Sequence, residues 1–135
     1  MEDDLIDRLR GVAVGAAVGD ALGMPLEFGP PQPVTALVRD MRAARLPAGS
    51  FTDDTEMALA LAGSLLECFP LDPRNLVRHF LDWYRERPPD VGIHTAQVLR
   101  AVEGGVSWEA ATARTDPRSA GNGSVMRCWP VAIAY

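Results

Sequence analysis

Gly49-Ser50-Phe51-Thr52-Asp53-Asp54-Thr55-Glu56 runs without a break into the apolar segment Met57-Ala58-Leu59-Ala60-Leu61-Ala62-Gly63-Ser64-Leu65-Leu66. This reads as a buried helix over about residues 53–68 whose first turn carries two adjacent carboxylates between two threonine hydroxyls. Two readings of that turn stand side by side. Thr and Asp are favoured at helix N-caps, and acidic residues suit the positive end of the helix dipole. Carboxylate and hydroxyl oxygens are also the ligands preferred by hard divalent cations such as Mg²⁺ and Mn²⁺. The residues of this stretch alone do not choose between them.

Upstream, Gly11, Gly15, Gly19 and Gly23 recur at four-residue spacing. On a helix this makes a smooth stripe that another backbone can approach closely. Each glycine costs about 1 kcal/mol of helix stability relative to alanine, so close packing is expected to offset the loss. Leu5, Ile6, Leu9, Val12, Ala13 and Ala16 also keep helical spacing, giving a first helix over about residues 3–22. Pro25 blocks its continuation, and Asp20 and Glu27 flank that end in otherwise apolar surroundings.

Downstream, Ser119-Ala120-Gly121-Asn122-Gly123-Ser124-Val125-Met126-Arg127 places glycines on both sides of an asparagine. Such a loop lets successive backbone N–H groups converge on an anion, and it is equally ordinary turn chemistry. A helix is expected from Val125 to Tyr135.

The remaining segments are helical too. Residues 29–51 form a proline-rich loop with a short helix around Val34 to Arg42. Asp72-Pro73 starts a helix with Leu76, Val77, Phe80, Leu81 and Tyr84 on one face, closed by Pro88-Pro89. A further helix spans about Thr95 to Val102 and stops at Gly104-Gly105. Ser107 caps a short one over Trp108 to Ala113. No alternating strand pattern or internal repeat occurs, so the expected fold is an all-α orthogonal helical bundle. His79, between Arg78 and the polar side of its helix, reads as solvated, and His94 falls in a loop. Trp83, Trp108 and Trp129 read as core or interface fillers.

The chain has 135 residues, 47% hydrophobic and 23% charged, enough for one domain with a core. Its 13 basic and 18 acidic residues argue against nonspecific nucleic-acid binding. Cys68 and Cys128 are far apart without metal-type spacing, so reduced, buried thiols are expected. Met1-Glu2-Asp3-Asp4 lacks a basic leader, and Gly11 to Val18 is short for a membrane span, so no membrane association and a cytoplasmic location are expected.

Taken together, the blocks resemble the ADP-ribosylglycohydrolase family. The resembling residues are Gly19-Asp20-Ala21-Leu22-Gly23 with Glu27, then Thr52-Asp53-Asp54-Thr55, then Gly121-Asn122-Gly123-Ser124 with Met126, Arg127 and Pro130. Asp90-Val91-Gly92-Ile93-His94-Thr95 is similar to a further family segment, with His94 where a threonine is usual. The resemblance implies an all-α bundle and hydrolysis of the glycosidic bond between ADP-ribose and an acceptor, with two Mg²⁺ or Mn²⁺ ions.

It also implies roles for individual residues. Thr52, Asp53 and Asp54 are metal ligands, Glu27 and Asp54 the catalytic carboxylates. Asp20, Gly121, Asn122, Gly123 and Ser124 serve the substrate site, with Asp20 also supporting the metal ligands. Family members are about twice this length and carry a second Asp-rich motif that has no counterpart here. Residues 1–135 are therefore expected to be the N-terminal half of one domain, an incomplete bundle that self-associates or takes a complementary C-terminal half. A non-catalytic module that binds ADP-ribose or a related nucleotide, and a structural half of a split protein, are the alternatives.

Overall fold

The computed structural model describes residues 2–119 and 121–135, and among these every regular element is helical. The order is α1 (Glu2–Gly23), a 3₁₀ turn (Met24–Leu26), a second 3₁₀ turn (Val34–Ala36), α2 (Asp53–Glu67), α3 (Pro73–Arg85), α4 (Ile93–Glu103), α5 (Trp108–Ala113), α6 (Gly123–Met126) and α7 (Trp129–Ala134). The all-α expectation holds.

α2 is the centre of the molecule. Met57, Ala58, Leu61, Ser64 and Leu65 recur at one- and three-residue steps and are all buried, the pattern of a helix with one face in a core. That face meets Phe80 and Trp83 of α3 and Leu99 of α4, with Met126 and Val131 packed at the edge. The Trp83 indole N–H donates to Glu56 Oε2 at 2.6 Å, so the largest core side chain has its polar atom satisfied. α3 starts as its sequence dictates: the Asp72 side chain accepts from the Arg74 N–H at 2.9 Å and Pro73 occupies the first turn. Ser107 caps α5 through the Ala110 N–H.

Several expectations are corrected. The segment after residue 124 is not one helix. α6 ends at Met126 and α7 begins at Trp129, because Pro130 has no N–H to give to the Met126 carbonyl and its ring crowds it. Around Val34 only a 3₁₀ turn forms. α4 starts at Ile93, so His94 lies in the first turn of a helix rather than in a loop. His79 is not a solvated residue: its side chain is 19% exposed, contacts Glu67, and packs on Gly63, where an added Cβ would stand 3.1 Å from its Cε1. Both cysteines are free, but Cys128 is exposed and Cys68 only half-buried.

α1 departs furthest. A Cβ added at Gly11, Gly15, Gly19 or Gly23 would meet nothing within 4 Å, so the small-residue stripe is uncovered. Leu5, Ile6, Val12, Val14 and Val18 are exposed as well. From Asp3 to Leu26 the helix is also long and apolar enough to cross a membrane by length and composition, which the shorter Gly11–Val18 reading missed. Its C-terminal end is nevertheless built into the protein, with Ala21 and Met24 buried.

Candidate active site

The end of α1 and the start of α2 are joined by one side chain. The Asp20 carboxylate accepts from the Thr52 N–H (2.8 Å), the Thr52 hydroxyl (2.8 Å), the Thr55 N–H (3.1 Å) and the Thr55 hydroxyl (2.6 Å). Thr52 and Thr55 are 1% and 6% exposed. Thr52 occupies the N-cap position of α2 but its own side chain makes no cap bond. The free N–H groups of the helix start are instead served from α1, with the dipole favouring the Asp20 charge. The capping function is thus taken over by Asp20, and Asp53 and Asp54 are left for other work.

Those two carboxylates line a cavity of about 470 Å³ together with Glu27, Asp90, Gly121, Asn122 and Gly123. Asp53 Oδ2 accepts from the Gly92 N–H at 3.3 Å. Burial and then the neighbouring Asp90 carboxylate raise the Asp53 carboxyl to about 6, with Asp54 and Asp20 adding to the rise. Asp54 is raised for the same reasons, burial first and the Asp20 and Asp90 charges after it. At the cavity mouth, Arg45 pairs with both Glu27 and Asp90, and its guanidinium carbon lies 5.6 Å from the centroid of the Phe28 ring. Behind the glycine loop, Ser124 lies with His94, Ser119 and Arg127 around a smaller pocket of about 150 Å³. His94 Nδ1 is 3.2 Å from Ser119 Oγ. Arg127 rests its guanidinium over Phe80, and burial lowers its pKa while the Asp53 charge works against that.

Glu27, Asp53, Asp54, Gly121, Asn122 and Gly123 therefore meet at one cavity from three distant parts of the chain. Thr52 and Asp20 do not line it. Asp20 spends its oxygens on the start of α2. Ser124 faces the smaller pocket, and Ala120 lies outside the described residues. Asp90, Arg45 and Phe28 were given no role by the sequence reading. Asp90 sits in a quoted motif, whereas Arg45 lies within the proline-rich loop with no periodicity to mark it.

The donor set suits a hard divalent cation. Asp53, Asp54 and Asp90 repel one another in a setting where Asp53 is buried, which a cation would offset, and the Thr52 hydroxyl gives its proton to Asp20 and keeps lone pairs free. Adjacent helical side chains diverge by about 100°, so Asp53 and Asp54 are placed for different directions. Among the described residues no three His, Cys, Asp or Glu side chains are arranged to hold a metal by themselves. These residues fit part of a coordination shell, with water or other donors completing it.

The sequence model for ADP-ribosylglycohydrolase matches residues 1–135. The chain belongs to the ADP-ribosylglycohydrolase family. Its relatives include the ADP-ribosyl-[dinitrogen reductase] glycohydrolase of Rhodospirillum rubrum, 40% identical over 134 residues, covering 95% of this chain and 45% of that protein. The ADP-ribosylarginine hydrolase Tri1 of Pseudomonas putida (strain GB-1) is 36% identical, covering 97% of this chain and 37% of Tri1. The ADP-ribosylhydrolase ARH3 of Bos taurus is 31% identical, covering 96% of this chain and 40% of ARH3. The chain spans less than half the length of these relatives.

Proposed function

We propose that this member of the ADP-ribosylglycohydrolase family serves metal-dependent hydrolysis of the glycosidic bond between ADP-ribose and an acceptor, a modified protein or a small conjugate. The observation that carries this reading is the meeting of Glu27, Asp53 and Asp54 with the Gly121-Asn122-Gly123 loop at one cavity. The names of the relatives, all hydrolases of ADP-ribosyl bonds, support it.

In this reading Thr52, Asp53 and Asp54 would hold Mg²⁺ or Mn²⁺, which would supply Lewis-acid polarisation of the ribose hydroxyls and a water. Asp20 keeps those ligands in place through Thr52 and Thr55. Glu27 at the cavity mouth orients or deprotonates the attacking water as the bond to the anomeric carbon breaks, with Asp54 the second carboxylate beside it. Gly121, Asn122, Gly123 and Ser124 receive the ADP-ribose moiety through backbone amides and short polar side chains. The exposed apolar side chains of α1 support association with a second copy or with a complementary polypeptide. The two free cysteines support a reducing compartment such as the cytoplasm.

A second reading, an ADP-ribose-binding module without turnover, is favoured by one observation, the lack of three converging metal-type side chains among the described residues. One experiment separates the two. ADP-ribose release from ADP-ribosylated arginine and serine substrates is measured with and without Mn²⁺, on this chain and on the chain extended to the length of its relatives. Asp53→Ala is expected to lower Mn²⁺-dependent release by about 100-fold or more while leaving far-UV circular dichroism unchanged. Full activity in that variant would reduce the acidic turn to a structural feature. Tight ADP-ribose binding without release in either form would establish the binding module.

A further inference from the structure

Residues 27–51 contain no buried residue, and their only regular piece is the 3₁₀ turn Val34–Ala36. The backbone hydrogen bonds within the loop are local, Ala36 to Pro33, Ala44 to Leu46 and Ser50 to Pro47. A loop of this length with no apolar anchor should wander. Among the described residues, Arg45 makes the only ion pairs and side-chain hydrogen bonds that join residues 30–50 to the rest of the chain. Its partners are Glu27, just past the end of α1, and Asp90, just before α4. Both line the acidic cavity.

We propose that Arg45 is the positioning residue of the site: by pairing with Glu27 and Asp90 together it ties the 30–50 loop to two carboxylates of the acidic cavity and fixes where the Glu27 carboxylate stands. An isolated surface ion pair contributes little to stability, so a fold-stabilising role is not the point. What distinguishes Arg45 is geometry. One nitrogen of that cation, Nη2, meets carboxylates from two separate segments, and the three side chains are only 31%, 35% and 22% exposed. Phe28, with φ at 63°, has its exposed ring by the same guanidinium. Both carboxylates meet the same nitrogen, Nη2, so a lysine ammonium at that place could serve both, which makes Arg45→Lys the conservative variant. The part of this inference that concerns turnover rests on Glu27 acting in the proposed hydrolysis; the part that concerns the loop does not.

Two measurements test it on the full chain that shows activity, with loop exchange also read on this chain alone. Amide hydrogen exchange over residues 38–50 is expected to quicken by roughly 10-fold in Arg45→Gln and to be largely restored in Arg45→Lys. In steady-state release of ADP-ribose, Arg45→Gln is expected to lower kcat by roughly 10- to 100-fold with KM little changed. In the double variant with Glu27→Gln it should add almost nothing, because it acts through that carboxylate. Unchanged loop exchange overturns the anchor whatever the activity. Quickened exchange with a kcat effect that adds fully to Glu27→Gln overturns the positioning of Glu27. If no form releases ADP-ribose, the hydrolase reading fails while the loop anchor is still decided by exchange.

Discussion

α1 and α2 are both apolar helices rich in alanine, and they share Asp20, yet they live in opposite surroundings. α2 has Met57, Ala58, Leu61 and Leu65 buried against α3, α4 and α7, and even its polar first turn is covered. α1 leaves Leu5, Val12, Val14 and Val18 in the open and is buried only at its last turn and the 3₁₀ turn beyond. The contrast teaches that apolar composition does not decide burial; a partner surface does. α2 has one along the face of Met57, Leu61 and Leu65, while Leu59 and Leu66 on its other side stay exposed; α1 is tied to the rest where Asp20 reaches the Thr52 and Thr55 amides and hydroxyls.

The largest expected effect comes from cutting that link. Asp20→Ala removes the acceptor of two buried hydroxyls and two N–H groups, each of which is then left unpaired at about 1–3 kcal/mol. With partial relaxation the net loss should be about 3–5 kcal/mol in urea unfolding, at the upper end for a single substitution. Hydrogen exchange should quicken at the end of α1 and the start of α2 more than in α3. A loss under about 1 kcal/mol would show that the two helices are held by something other than this carboxylate.

The acidic tip of α2 is where site chemistry works against stability. Asp53 titrates near 6 in the fold against 3.8 in its absence, chiefly through burial and the Asp90 charge. The fold therefore disfavours the ionised form: stability is fully present below about pH 3.8 and falls as pH rises through 6. In EDTA, Asp53→Asn should unfold at the same urea concentration as the parent at pH 3.5. At pH 7.5 it should be more stable by about 1–2 kcal/mol, below the linkage limit of about 3 kcal/mol. Mn²⁺ should close the gap by stabilising only the parent. A pH-independent difference would mean that the carboxylate is not under this strain.

Much of this was legible from local pattern. The 53–68 apolar run, the Asp72-Pro73 start and the Ser107 cap each contain their own instruction within a few residues, and the helices form there. The acidic turn, Glu27 and the glycine loop were each marked as site candidates, and they line one cavity. What local pattern could not carry is pairing at a distance. Nothing near Asp20 indicates that Thr52 and Thr55 will donate to it, and nothing near Arg45 indicates Glu27 on one side and Asp90 on the other. The Pro130 break was readable in principle, since proline cannot continue a helix from Met126, but the apolar run from Val125 outweighed it. The glycine stripe was read as a close-packing surface, and no backbone packs on it here.

The smallest effect tests that stripe, and its sign matters more than its size. Gly15 is helical and an added Cβ meets nothing within 4 Å, so Gly15→Ala should stabilise the chain by about 0.5–1 kcal/mol through helix propensity alone. Gly63→Ala in α2 is the control in the same comparison. It gains the same propensity, but its new methyl would stand 3.1 Å from His79 Cε1 and force that half-buried ring to move, so the gain should vanish or reverse. If Gly15→Ala instead destabilises, or lowers a concentration-dependent melting temperature, the stripe is in contact with another polypeptide surface in solution. α1 would then resemble α2 after all, an apolar helix whose covering surface lies outside these residues.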